Sequence, residues 1–159
     1  MIFTRLSLKG RALRLLAQRE HSRAELHQKL LRHVQEGEDL GALLDALCAQ
    51  GWIDETRVAE SLVHQRSARL GTQRLVQEMR RKGLSEELIR TTAHELRASE
   101  VQRAQHVWAQ RFGQVATDAP ERAKQMRFLV ARGFSMEAVR LALRGRGDDA
   151  GDIRDSDGV

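Results

Sequence analysis

Three times along the chain an apolar residue is followed four places later by glycine, then by another apolar residue, and shortly afterwards by Asp or Ser. The copies are Leu47…Gly51-Trp52-Ile53-Asp54, Met79…Gly83-Leu84-Ser85 and Leu129…Gly133-Phe134-Ser135. This spacing has a definite physical meaning. Glycine takes the left-handed position just past a helix, where a side chain would be strained. The next apolar residue folds back on the last turn, and Asp or Ser caps the following helix. Glu55, Glu86 and Glu137 then fall in first turns, where the helix dipole favours a negative charge. A single such corner is only how a helix ends. Three in register predict repetition, with modules of about three helices each in series.

The composition agrees. Aromatic residues make up 4% of the 159-residue chain, Tyr is absent and Pro occurs once. Leu, Ala, Arg, Gln and Glu are strong helix formers, and the β-branched and aromatic residues of a sandwich or barrel are too few. We therefore expect an all-α fold of about nine helices, as three tandem three-helix, helix-turn-helix-like modules forming an elongated curved body. Apolar stripes at helical spacing support it: Leu26/Leu30/Val34, Leu40/Leu43/Leu44/Leu47/Cys48, Val58/Ala59/Leu62/Val63, Leu75/Val76/Met79, Leu88/Ile89/Ala93/Leu96, Val101/Ala104/Trp108/Phe112, Met126/Leu129/Val130 and Ala138/Val139/Ala142/Leu143. Ser22 with Glu25 forms a capping box, and Asp118 or Thr117 caps the helix that carries Pro120 in its first turn. The expected boundaries are 1–66, 67–96 and 97–145, followed by an acidic tail over 146–159. Trp52, Phe134, Trp108 and Phe112 are expected in the core.

Charge divides the chain unevenly. It holds 27 Lys plus Arg against 22 Asp plus Glu, a net of +5. Residues 146–159 carry two Arg and five Asp, and their Gly/Asp-rich composition predicts disorder. The remaining body carries +8, nearly all of the positive charge as Arg. Six cations crowd the stretch from Arg66 to Lys82 against one acid, Glu78: Arg66, Arg69, Arg74, Arg80, Arg81 and Lys82. Arg74 and Arg81 stand two helical turns apart with Gln77 between them, on an exposed face suited to phosphates or an acidic protein surface. With so few aromatic residues, a nucleic-acid contact would rely on charge rather than stacked bases.

No constellation for catalysis is present. His21, His27 and His33 are spaced by six and do not share a helix face, and none lies in an H-E-x-x-H arrangement. Gly10, Gly37, Gly41 and Gly71 are isolated, with no phosphate-loop Lys-Ser/Thr behind them. Cys48, on an apolar stripe, is expected to be an inert small hydrophobe and cannot form an intrachain disulfide. No metal site, cofactor or enzymatic activity is expected. No run approaches the ~18 apolar residues of a membrane span, and the first residues lack the apolar core of a secretory leader. A soluble, cytoplasmic protein is expected.

Several segments carry a family likeness. Residues 11–30, from Arg11 through His21-Ser22 and Glu25-Leu26 to Lys29-Leu30, resemble the opening module of the RecX family, regulators of the RecA recombinase. So does Gly51-Trp52-Ile53-Asp54-Glu55-Thr56-Arg57-Val58-Ala59. Residues 66–85 look like the family's most recognisable stretch, and 127–137, with Arg132-Gly133-Phe134, are similar to its C-terminal module. Leu70 stands where an aromatic residue is common, Thr72 where Pro is common and Val58 where Phe is usual. The resemblance implies a non-enzymatic regulator that binds in the groove of the RecA–single-stranded DNA filament. It would limit filament extension, strand exchange, ATP hydrolysis and co-protease activity, and so act in recombination, DNA repair and the SOS response. The partners implied are RecA and single-stranded DNA, with weaker duplex binding, for a monomer. Arg132 joins the six middle cations as a candidate contact. Two other classes fit the pattern: a helix-turn-helix transcriptional regulator and a purely structural scaffold.

Overall fold

The computed structural model describes residues 5–144, so the acidic tail lies outside the described residues. Among them are nine α-helices, one 3₁₀ turn at Leu31–His33 and no strand: α1 Leu8–Gln18, α2 Arg23–Leu30, α3 Leu40–Ala49, α4 Glu55–Arg66, α5 Thr72–Arg81, α6 Glu86–Arg97, α7 Glu100–Arg111, α8 Ala119–Ala131 and α9 Met136–Arg144. Polar caps start most of them. Ser22 and Glu25 form the reciprocal capping box, and the Asp118 carboxylate accepts from the Glu121 amide with Pro120 in the first turn.

All three corners have the expected chemistry. Gly51, Gly83 and Gly133 sit at φ +80°, +76° and +94°. The residue after each donates back five positions, Trp52 to Leu47 (3.0 Å), Leu84 to Met79 (3.2 Å) and Phe134 to Leu129 (3.3 Å). Asp54, Ser85 and Ser135 then cap through the amides of Arg57, Leu88 and Ala138.

Two expectations about the corners need correction. Trp52 is not in the core: it is 52% exposed, whereas Leu84 and Phe134 are buried. The first corner has one extra residue before its cap, so Ile53 enters the core and donates to Leu47 O at 3.3 Å. The corners also fall after α3, α5 and α8, so only the last two stand three helices apart. A regular interval would put the first between α2 and α3, where the chain makes the 3₁₀ turn and a loop with Gly37 at φ +83°. Most of the apolar stripes are buried or half-buried as their spacing predicts. Cys48 and Val130 are exposed instead, because each lies at the edge of its stripe near the helix end.

The described chain forms two compact units, residues 5–63 with 78–90, and 64–77 with 91–144. In the first unit, Leu8, Ala12, Leu26, Leu30, Leu40, Leu44, Leu47 and Ile53 make a continuous core. The second corner is seated on the first turn of α2. The Ser22 hydroxyl donates to the Lys82 carbonyl at 2.5 Å, and a Cβ on Gly83 would come within 2.7 Å of the Ala24 Cβ.

The second unit has its own core of Ala104, Val107, Trp108, Leu129, Phe134, Val139 and Ala142. Trp108 Nε1 satisfies itself on the buried Gln125 Oε1 at 2.8 Å. Here the third corner is seated on the first turn of α5. Gly71 N–H donates to the Arg132 carbonyl at 2.8 Å and Gln73 N–H to the Gly133 carbonyl at 3.2 Å. A Cβ on Gly71 would lie 2.2 Å from the Gly133 carbonyl carbon, and one on Gly133 would lie 2.3 Å from Arg74 Cγ. In both units the carbonyl before the corner glycine accepts from the N-cap residue of the helix three earlier than the one that ends at that corner. The three-helix repeat thus resides in this docking rather than in the spacing of the corners.

These contacts rank the glycines. Gly71→Ala should destabilise by about 1–3 kcal/mol, because rigid backbone must separate to admit the methyl. Gly133→Ala adds positive-φ strain to its overlap and should cost at least as much. Gly37→Ala has open space around its Cβ and should lose only about 1 kcal/mol, from strain alone. Urea midpoints of the three variants test this order, and equal losses at all three would refute it.

Candidate nucleic-acid and partner interface

The cations that the sequence groups together are sorted by the structure into different environments. Arg66, Arg69, Arg74 and Arg132 belong to the second unit, and Arg80, Arg81 and Lys82 to the first. All are exposed except the half-buried Lys82. Arg80 makes a forked pair across the corner to Glu86, Nε to Oε1 at 2.9 Å and Nη2 to Oε2 at 3.2 Å. That pairing raises the Arg80 pKa and lowers the Glu86 pKa. Lys82 Nζ is tied to Glu25 at 3.1 Å. Arg74 lays its stem on Gly133 and directs Nη1 to the Ala131 carbonyl at 3.4 Å. Arg132 stands 5.0 Å over the Phe128 ring. The side chains of Arg69 and Arg81 have no hydrogen bond or ion pair to another described residue. They, rather than the whole cluster, are the uncommitted guanidinium groups of the middle segment.

One cation that sequence reading passed over is more deeply engaged. Arg103 of α7 donates to the carbonyls of Ser67 (3.1 Å), Leu70 (2.6 Å) and Leu96 (3.1 Å), to Thr72 Oγ1 (3.1 Å) and to Ser99 Oγ (3.1 Å). Its guanidinium also lies 5.8 Å from the Phe134 ring centroid. Burial lowers its pKa, opposed by the charge of neighbouring Glu100. Glu100, itself buried, accepts from the Thr72 amide at 3.3 Å and so supplies the cap that α5 lacks. Proline, which has no N–H, could not make that bond. Thr72 at this position is therefore matched to Glu100 and Arg103 together. No local signal marks this network, because most of its acceptors are main-chain carbonyls distant in sequence.

The histidines and the cysteine show no reactive arrangement. His21 is buried, with Nδ1 at 3.0 Å from the Arg19 carbonyl and Nε2 at 3.0 Å from Lys29 Nζ. Burial lowers its pKa, with the charges of Arg19 and Lys29 acting in the same direction and the Arg19 carbonyl and Glu25 opposing them. The Cys48 thiol is exposed yet held above its ordinary pKa, chiefly by desolvation, which disfavours the reactive thiolate. Among the described residues, no group of three or more His, Cys, Asp or Glu could hold a metal. None of the described helices is long and apolar enough to cross a membrane.

Among the described residues, nine helices joined and docked through glycine corners make an all-helical protein of serial three-helix domains. Comparisons with known proteins agree. Family models described as the first, second and third three-helix domains of RecX match residues 9–38, 54–92 and 98–143. A "Regulatory protein RecX" of Ralstonia nicotianae is 49% identical over 140 residues, 88% of each chain. Those of Herminiimonas arsenicoxydans and Neisseria meningitidis are 48% and 35% identical, covering 88% and 90% of this chain and 93% of each relative. The crystal structure of RecX from Lactobacillus salivarius shares the fold, with a TM-score of 0.71 at 17% identity over 87% of this chain and 93% of that one. Another crystal structure of regulatory protein RecX gives 0.72 at 21% identity, over 85% and 70%. The chain belongs to the RecX family. Gly83 and Gly133 lie within the second and third matched domains, whereas Gly51 lies at the join between the first and second.

Lys82 illustrates how a candidate contact is also structural. Burial would raise the pKa of Glu25, but hydrogen bonds from Arg19 (2.8 Å), Lys82 (3.1 Å) and the Ser22 amide outweigh it and hold the carboxyl at about 2. A carboxyl lowered on folding stabilises above its unfolded pKa and loses that contribution as pH falls from about 4.5 through about 2. Glu25→Gln should therefore cost on the order of 3 kcal/mol at pH 7, with the difference from the unmodified chain shrinking steadily below pH 4.5. Urea unfolding at pH 7, 4 and 3 measures it. A difference independent of pH would show that the loss is one of packing rather than of charge.

Proposed function

We propose that this chain regulates a RecA recombinase, chiefly as an inhibitor, by binding in the groove of the RecA–single-stranded DNA filament. There it limits filament extension and, with it, strand exchange, ATP hydrolysis and co-protease activity. The observation that carries this reading is membership of a regulatory family across all three domains, at up to 49% identity over most of the chain. The regulator works as a cytoplasmic monomer, in recombination, DNA repair and the SOS response. Its modules are 1–66, the basic 67–96 and 97–145, with 146–159 as a tail. Single-stranded DNA is the nucleic acid of its complex, and duplex binding is weaker.

Two features of the surface support the reading. The side chains of Arg69 and Arg81 are exposed without partners among the described residues, so neither gives up a contact there to meet a phosphate or an acidic side chain. Arg74 and Arg132 keep part of their donor capacity while their stems and rings hold them in place. Arg80 and Lys82 already have carboxylate partners and contribute less.

The test is RecA ATPase on single-stranded DNA. Stoichiometric or lower amounts of the protein should suppress it, and failure to do so would refute the regulatory reading. Arg69→Glu with Arg81→Glu should raise the half-inhibitory concentration about tenfold while helical circular dichroism stays intact. Unchanged inhibition by that variant would place the binding surface elsewhere on the chain.

A further inference from the structure

The start of α1 and the segment from Leu31 to Glu38 line an open cavity of about 260 Å³ within the first unit. Its charged lining consists of Arg5, Arg11, Arg32, His33 and Glu38. None of these belongs to the middle segment's cation cluster. The side chains of Arg5 and Arg11 have no hydrogen bond or ion pair to another described residue. Arg32 spends its Nε–H on His33 Nε2 at 3.3 Å. The single carboxylate on the wall, Glu38, accepts from the Gln35 amide at 2.8 Å and is paired with no guanidinium among the described residues. Three arginines therefore line one concavity with no carboxylate paired to them among the described residues.

His33 registers their combined field. Desolvation lowers its pKa, and the charges of Arg11, Arg32 and Arg5 lower it further. Because Nε2 accepts from Arg32, the neutral ring carries its proton on Nδ1 and offers one more donor. Forked guanidinium donors match tetrahedral oxyanions through paired hydrogen bonds. A cavity smaller than the ~300–1,000 Å³ of sites for drug-sized ligands has room for one such group rather than a whole nucleotide. We propose that this cavity binds a phosphate group through Arg5, Arg11 and Arg32. The chemistry is the same whether the group belongs to a nucleic-acid strand or is free phosphate.

The experiment follows the His33 imidazole by NMR in the full chain, with inorganic phosphate in one arm and an unmodified oligodeoxythymidylate in the other. A bound anion offsets the three guanidinium charges, so the His33 pKa should rise on binding. Arg11→Gln with Arg32→Gln should abolish the response, and Arg122→Gln on α8 should preserve it. Arg5→Gln, in the segment ahead of α1, should weaken it and serves as the test if the double variant unfolds. A response to the oligonucleotide assigns the group to a strand, and the double variant should then lower the salt slope of binding by about 1.4, or about 0.7 per lost contact. A response to inorganic phosphate alone assigns free phosphate. An unmoved His33 in both arms, or an unchanged response in the double variant, overturns the proposal. The site does not depend on the regulatory reading: a chain that takes phosphate here but leaves RecA ATPase untouched would refute that reading alone.

Discussion

A glycine corner seated on the first turn of an earlier helix is the contact on which both compact units rest. At Gly71 and Gly133 the two backbones approach so closely that neither residue tolerates a Cβ. Main-chain hydrogen bonds then satisfy the polar groups brought together there, which would be costly to bury unpaired. Ser22 and Lys82 make the equivalent contact in the first unit, with a hydroxyl in place of an amide as donor. Glycine is required in the corner twice over. It must adopt a positive φ, and it must present bare backbone to the neighbouring helix.

This docking also decides what the arginines are free to do. Arg103 is consumed in tying the loop before α5 to α7, and Arg74 covers the outer side of Gly133. Arg80 and Lys82 hold the second corner through Glu86 and Glu25. A basic chain of this kind is not uniformly available to an acidic partner. Its net charge is an upper bound on the recognition surface, from which each structural pairing subtracts. The balance left in the middle segment falls largely on Arg69 and Arg81, and a second balance on the wall of the α1 cavity.

Much of the fold was legible because it is encoded locally. Capping at Ser22, Asp54, Ser85, Asp118 and Ser135 involves residues three apart, and the Schellman bonds at the corners span five. Trp52 was misplaced because one inserted residue, Ile53, changes which side chain reaches the core, and periodicity does not register a single insertion. The site was less legible than the fold. A run of cations is visible in sequence, but whether each guanidinium is spent depends on partners such as Glu25, 57 residues from Lys82. Arg103 carried no signal at all, since three of its acceptors are main-chain carbonyls.

By itself, the sequence determined the helical class, the corners with their caps and the family, because helix signals and glycine conformations act over a few residues. Only the tertiary structure decided which helix turn receives the second and third corners, why Gly71 must be glycine, and why position 72 uses a backbone N–H. It alone divided the cations between internal bonds and open surface. The physical reason is common to all of these. Close backbone approach and charge pairing depend on distances between segments tens of residues apart, and no local pattern of side chains specifies those distances.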